Sequence, residues 1–223
     1  MGDPEYTAEP RPDCDLCPRL VAFRDDNQQK YPDWFNGAVP SFAPAGGSAQ
    51  TELLIVGLAP GLQGANKTGR PFTGDWAGDL LYATLLKFGL AQGTYAAMPD
   101  DGLELNGAMI TNAVRCVPPQ NKPIGAEMKN CRPFLKARID SLPNLKVIVC
   151  LGRIAHENTL SALGLRRAEY KFVHCAEHLL SLDARKLTLI DSYHCSRYNT
   201  NTGRLTEEMF EDVFRLATSR IGA

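Results

Sequence analysis

Three groups of residues in this chain have types and spacing that can do chemistry: a set of cysteines, a glycine-rich loop and a polar loop that opens on a histidine. Cys14 and Cys17 form a Cys-x-x-Cys pair at the start of a short N-terminal helical pattern. Cys116 follows an apolar run, and Cys131 sits in a helical pattern after a proline-rich loop. Four thiolates drawn from two chain regions suit zinc and an iron–sulfur cluster equally on spacing. A redox pair would want a thioredoxin-like βαβ context, which is missing here, and Cys116 and Cys131 also suit plain packing. Cys150, Cys175 and Cys195 fall elsewhere, and seven thiols with no export signal argue against a disulfide framework.

The loop from Gly57 through Ala59, Pro60 and Gly61 lets backbone amides approach a ligand closely. Residues 64–68 imitate a phosphate-binding P-loop only faintly, because Asn66 stands where glycine must precede Lys67, so a nucleotide hydrolase is a weak reading. Phe72 is either a stacking platform for a planar ligand or a core residue. Asp75 is either a helix N-cap or a group that orients water. His194 is placed as an acid or electrophile at a strand end, or as a structural histidine. The run that follows, from Ser196 through Arg197, Tyr198 and Asn199 to Arg204, suits phosphate and sugar contacts.

These residues are positioned by four short β-branched runs, at 53–57, 108–111, 147–152 and 187–191, each followed by a turn-forming residue. Such runs read as parallel strands buried on both faces. Helical patterns lie between them at 77–88, 126–139 and 154–163, and a last one at 207–221 takes Thr206 as N-cap. Strands alternating with helices predict a single three-layer α/β/α domain over 1–223, with a central four-stranded parallel sheet. Residues 1–50 form an irregular arm holding one helix near 16–25. Ligands of such sheets bind beyond the carboxyl ends of the strands, which is where the loops above begin.

With 44% apolar and 22% charged residues the chain is globular, and no apolar run reaches the ~18 residues of a membrane span. The expectation is a cytoplasmic monomer with no membrane partner. A net charge of −1 confines any nucleic-acid face to a local patch, for which Lys67, Arg70, Arg115, Lys122, Arg197 and Arg204 are candidates.

Five blocks in order, Cys-x-x-Cys at 14–17, GLAPG at 57–61, TGRPFTGD at 68–75, TNAVRC with PPQNKP at 111–123 and HCSRYNTNTGRLT at 194–206, together resemble the uracil-DNA glycosylase superfamily in its family 5 (type b) branch. The resemblance implies a structural [4Fe–4S] cluster on Cys14, Cys17, Cys116 and Cys131. It implies a monofunctional glycosylase of base excision repair that removes uracil, and hypoxanthine or other deaminated bases, from DNA to leave an abasic site. By the same resemblance His194 sits beside uracil O2, the 57–61 amides assist it, Phe72 stacks on the base and Asn112 reads its edge. Asn121 is a second base contact. Residues 196–199 and Arg204 contact DNA, with Tyr198 as the wedge. Lys122 is the one lysine in these blocks, and no lysine occupies the motif positions that would form a Schiff base, so no lyase step is expected.

Two departures stand out. Leu58 and Ala59 replace the polar residue that positions water in most of the superfamily, which leaves Asp75 as the nearest carboxylate and implies a slow enzyme. Cys195 replaces the proline after the motif histidine and gives up its fixed φ. A non-catalytic iron–sulfur protein that binds uracil-containing or damaged DNA is the alternative.

Overall fold

The computed structural model describes residues 8–182 and 185–222; of the expected N-terminal arm, residues 1–7 lie outside this part. In chain order the main elements are α1 (Pro18–Lys30), β1 (Leu53–Gly57), α2 (Ala65–Thr68), α3 (Trp76–Lys87), β2 (Ala91–Gln92), β3 (Glu104–Leu105), β4 (Ala108–Asn112), α4 (Gly125–Asp140), β5 (Val147–Leu151), α5 (Arg153–Ala162), β6 (Glu177–Leu182), β7 (Arg185–Ser192), α6 (Arg197–Asn201) and α7 (Glu207–Ile221).

Four strands run parallel, as expected, and lie in the order β4-β1-β5-β7, with every residue of β1, β4 and β5 buried. Alternate side chains feed two cores. Leu53, Ile55, Val147, Val149 and Ile190 meet Leu81 and Leu85 of α3 and Phe210 and Phe214 of α7. Leu54, Val56, Ile148 and Leu189 meet Leu135 and Ile139 of α4 and Leu160 of α5. Each of these side chains contributes roughly 1.5–3 kcal/mol by leaving water. Helices therefore cover both faces, and all four loops that carry chemistry emerge from one edge of the sheet.

The sheet has a fifth strand that the sequence reading lacks: β6 pairs antiparallel with β7, from Glu177 opposite Ile190 to Leu182 opposite Arg185. As an edge strand it is only half-buried, with Leu180 alone fully buried, so it has no continuous apolar run to announce it. A two-residue pairing of β2 with β3 closes the segment between α3 and β4. Thr206 caps α7 as expected, its hydroxyl accepting from the Met209 amide at 3.1 Å.

The N-terminal arm is strapped to the sheet edge, with Phe42 bridging antiparallel to Ile110 of β4. Helix α1 docks Leu20 on Val114, Cys131 and Phe134, beside Cys17 and Cys116. Among the described residues no helix is long and apolar enough to cross a membrane.

Candidate active site

The loops after β1, β4 and β7 and the first turn of α3 enclose a cavity of about 420 Å³ at the carboxyl edge of the sheet. Of the residues expected to act on a base, Ala59, Pro60, Gly61, Phe72, Asp75, Asn112, Asn121 and His194 all line it, together with Ser196 and Arg197. Gly57 lies beneath: a Cβ there would stand 2.4 Å from Asn112 Oδ1 and 2.7 Å from the Phe72 ring. Its missing side chain is what lets these two groups converge.

Phe72 is both things the sequence left open. Its ring belongs to the buried core, and it also walls the cavity, 6.0 Å from the His194 ring and inclined to it by 30°. The backbone is left-handed here (φ 53°), a conformation that costs a non-glycine residue of order 1–3 kcal/mol and survives only where its surroundings impose it. Those surroundings are visible. The Tyr82 hydroxyl donates to the Pro71 carbonyl at 2.7 Å, and the Tyr95 hydroxyl donates to the Phe72 carbonyl at 3.4 Å. Helix α3 also presses on it, since a Cβ on Gly78 would fall 1.8 Å from that same carbonyl oxygen.

Asn112 ends β4 in full burial, and its Oδ1 accepts no hydrogen bond. A buried amide oxygen without a donor is costly, so this atom is built to meet a donor brought by something else. No side-chain hydrogen bond engages the His194 ring among the described residues. Burial alone pushes its imidazole down to about 4, so at neutral pH it is uncharged and offers one N–H.

Asp75 likewise serves twice. Its Oδ1 accepts from the Gly78 amide at 3.0 Å, capping α3, while the carboxyl also lines the cavity. Burial raises its pKa, offset by the cap hydrogen bond and assisted by nearby Asp79. Asn121, at φ 56°, projects from an exposed turn at the rim.

The loop after β7 is firmly held in spite of Cys195. The thiol is completely buried, donates to the Ala77 carbonyl at 3.4 Å and fills the space under α3. Asn199, expected against DNA, spends its amide on the His194 carbonyl at 2.8 Å. Tyr198 stands 72% exposed on α6, free to act outside the protein, and Arg204 lies 4.6 Å over the Tyr193 ring. Sequence reasoning missed Trp76, which lines the cavity, donates from Nε1 to Thr200 Oγ1 at 3.0 Å and lies under Arg197. Its one signal was an aromatic residue directly after the capping aspartate.

Two of the candidate DNA cations are corrected. Arg70 is 5% exposed and makes a two-pronged pair with Asp101, at 2.8 Å on each oxygen, with its guanidinium 5.3 Å from the Tyr82 ring and 5.8 Å from the Tyr95 ring. Arg115 is 1% exposed and pairs with Glu9. Both are structural, whereas Lys67 and Lys122 remain exposed.

A second, smaller cavity is lined by Cys14, Cys17, Cys116 and Cys131. Burial, then the charge of Cys131, pushes the Cys116 thiol up to about 12, and Cys14 and Cys17 are near enough to add to it. Four sulfurs on one zinc at about 2.3 Å each would lie within about 3.8 Å of one another. Among the described residues, the only set of three or more ligating atoms within 4.8 Å of one another is His156, His178 and Asp191. The four thiols thus face one space, although no three of their sulfurs lie within 4.8 Å of one another. The His156 set is self-satisfied, because Asp191 already accepts at 2.7 Å from His156 and 3.0 Å from His178.

Known proteins resemble this chain in sequence. The pattern of the Uracil DNA glycosylase superfamily matches residues 44–217. The Type-5 uracil-DNA glycosylase of Thermus thermophilus is 42% identical over 215 residues, 94% of each chain. That of Pyrobaculum aerophilum is 36% identical over 94% of this chain and 89% of its own. The Type-4 uracil-DNA glycosylase of Sulfurisphaera tokodaii is 32% identical over 78% of this chain and 74% of its own. With its strand-end loops meeting at one cavity and its likeness to these enzymes running nearly end to end, the chain belongs to the uracil DNA glycosylase superfamily.

Proposed function

We propose that this protein is a uracil-DNA glycosylase of base excision repair, hydrolysing the bond between uracil and deoxyribose and leaving an abasic site. The observation that carries this reading is Asn112, which lines the same cavity as Phe72 and His194 and whose buried Oδ1 has no hydrogen-bond partner among the described residues. Uracil flipped from the duplex fits that set: N3–H supplies the donor Asn112 lacks, Nδ2 donates to O4, and the flat ring lies against Phe72. As the C1′–N1 bond breaks, its electron pair moves onto the base and builds charge at O2. A neutral His194 N–H beside O2 stabilises that charge without any reorganisation of solvent. Water, oriented by the Asp75 carboxylate, then adds its oxygen to C1′, and the proton it loses passes through solvent to the uracil anion, which departs as neutral uracil.

Residues with apolar side chains at 58 and 59 leave leaving-group stabilisation as the main source of rate. The pocket polices its base with few polar groups, which supports hypoxanthine and related deaminated bases as further substrates. On the DNA side, Ser196 and Arg197 hold the backbone and Tyr198 fills the gap left by the flipped base. Cys14, Cys17, Cys116 and Cys131 would hold a [4Fe–4S] cluster whose contribution is structural, tying α1 to the core. The non-catalytic alternative drew on a loop loosened at Cys195, and the packed thiol removes that ground.

The test is single-turnover excision on duplexes carrying one U·G, U·A or hypoxanthine·T pair, followed by alkali. Cleavage only after alkali, reduced about 10²–10³-fold in His194→Ala, is the expected result. Intact DNA from folded protein would overturn the proposal.

A further inference from the structure

A third cavity, of about 380 Å³, opens beside the first turn of α5, and Arg153, Glu157, Arg167, Tyr170, Lys171 and Phe172 are among its walls. Its charges do not balance. Glu157 lies 3.5 Å from Arg153 and 3.6 Å from Arg167, in pairs whose arginines are 72% and 50% exposed. Such pairs hold weakly and leave both guanidiniums able to take another anion. Lys171 is exposed and has no ion pair among the described residues. Three cations thus face one carboxylate in a chain whose net charge is −1.

The cavity is joined to the loop after β7. The Gly152 amide, one residue before Arg153, donates to the Ser192 carbonyl at 2.7 Å. The Phe172 ring lies 6.1 Å from Tyr193, which Arg204 covers and which directly precedes His194. Arg204 thus lies over Tyr193, and Lys171 and Arg153 lie on the two segments that adjoin Tyr193 through Phe172 and Gly152. A duplex that delivers a base to the first cavity must continue past it, carrying one charge for about every 1.7 Å of axis.

We propose that this cavity is a second phosphate subsite, taking a backbone phosphodiester of the duplex flank beside the flipped nucleotide. The inference rests on the proposed action on DNA. Planar guanidiniums suit phosphate oxygens, and a contact to the backbone is independent of sequence.

The experiment is binding of a uracil-free duplex, followed by fluorescence anisotropy across a salt series, for the parent, an Arg167→Ala/Lys171→Ala double variant and Glu157→Gln. The double variant is expected to bind more weakly and to lose about 0.9 from the salt slope per phosphate contact removed. Glu157→Gln is expected to bind more tightly, an opposite sign that general misfolding does not produce. Trimming the duplex on the flank that reaches the cavity should abolish both differences. Equal affinities and slopes for all three proteins would overturn the inference. Because the duplex contains no uracil, a protein that binds it as expected but excises nothing would sink the proposed activity and leave the subsite standing.

Discussion

At the scale of single residues, the site is economical because several side chains hold structure and face the cavity at once. Asp75 shows how to separate two such roles. Asparagine caps a helix about as well as aspartate, whereas alanine does not. Asp75→Asn should therefore keep α3 and the thermal stability of the parent while slowing excision at least tenfold, if the carboxylate orients water. Asp75→Ala should lose the rate and also about 1 kcal/mol of stability. Parallel melting curves and single-turnover rates check this, and full activity in Asp75→Asn would reduce the residue to a cap. The motif residues were legible in sequence because short polar groups at strand ends have few other employments. Arg70 and Arg115 were misread for the converse reason. A long cationic side chain says nothing of its direction, and each turns inward to a carboxylate, Asp101 or Glu9, that is remote in sequence.

At the scale of elements, the parallel strands were readable almost to the residue because burial on both faces forces continuous apolar runs. The segment from β2 to β3 was opaque, because Ala91, Leu103 and Leu105, which it sends into the core, follow no regular period and the ion pair that ties it down is formed with a residue remote in sequence. Asp101 lies within this segment, its side chain 1% exposed; besides Arg70, its carboxylate accepts from the Ala96 and Leu103 amides. That ties the segment to the turn carrying Phe72, since Arg70 Nε also donates to Thr73 Oγ1 at 2.7 Å. The hydrogen-bonded guanidinium holds the Asp101 carboxyl far below the usual range. A depressed folded pKa contributes stability that is complete above the unfolded value, near 4, and is lost as pH falls below it. Asp101→Asn, which leaves Arg70 buried and unpaired, should cost about 3–5 kcal/mol at neutral pH. Denaturant titrations should find the gap between parent and variant constant above about pH 4 and shrinking below it. A gap that grew towards acid would mean the pair is not ionised in the folded protein.

At the scale of the whole molecule, the N-terminal arm is coupled to the catalytic cavity through two sets of contacts. At one end, α1 has little apolar area with which to hold itself down: Leu20 meets Val114, Cys131 and Phe134, and Arg19 reaches Glu127 of α4 in a half-exposed pair. At the other end, the Phe35 and Asn36 amides donate to the Lys67 and Asn66 carbonyls, and the Asn66 amide donates to Asn36 Oδ1 at 2.9 Å. These bonds brace α2, whose Ala65 forms part of the cavity wall. If the four cysteines hold a cluster, it supplies the anchorage that the small apolar contact of α1 lacks. Removing the iron with chelator and oxidant, or making Cys17→Ser, should then bleach the visible colour and speed amide exchange across Pro18–Lys30. Protection in β1 and β5 should persist, because their core lies on other residues. A lesser gain in exchange is expected over residues 64–69, with weaker retention of uracil-containing DNA following from the loosened wall. Unchanged exchange in α1 after the iron is gone would show that Leu20 and the arginine pairs suffice, and that the cysteines serve something other than holding the arm.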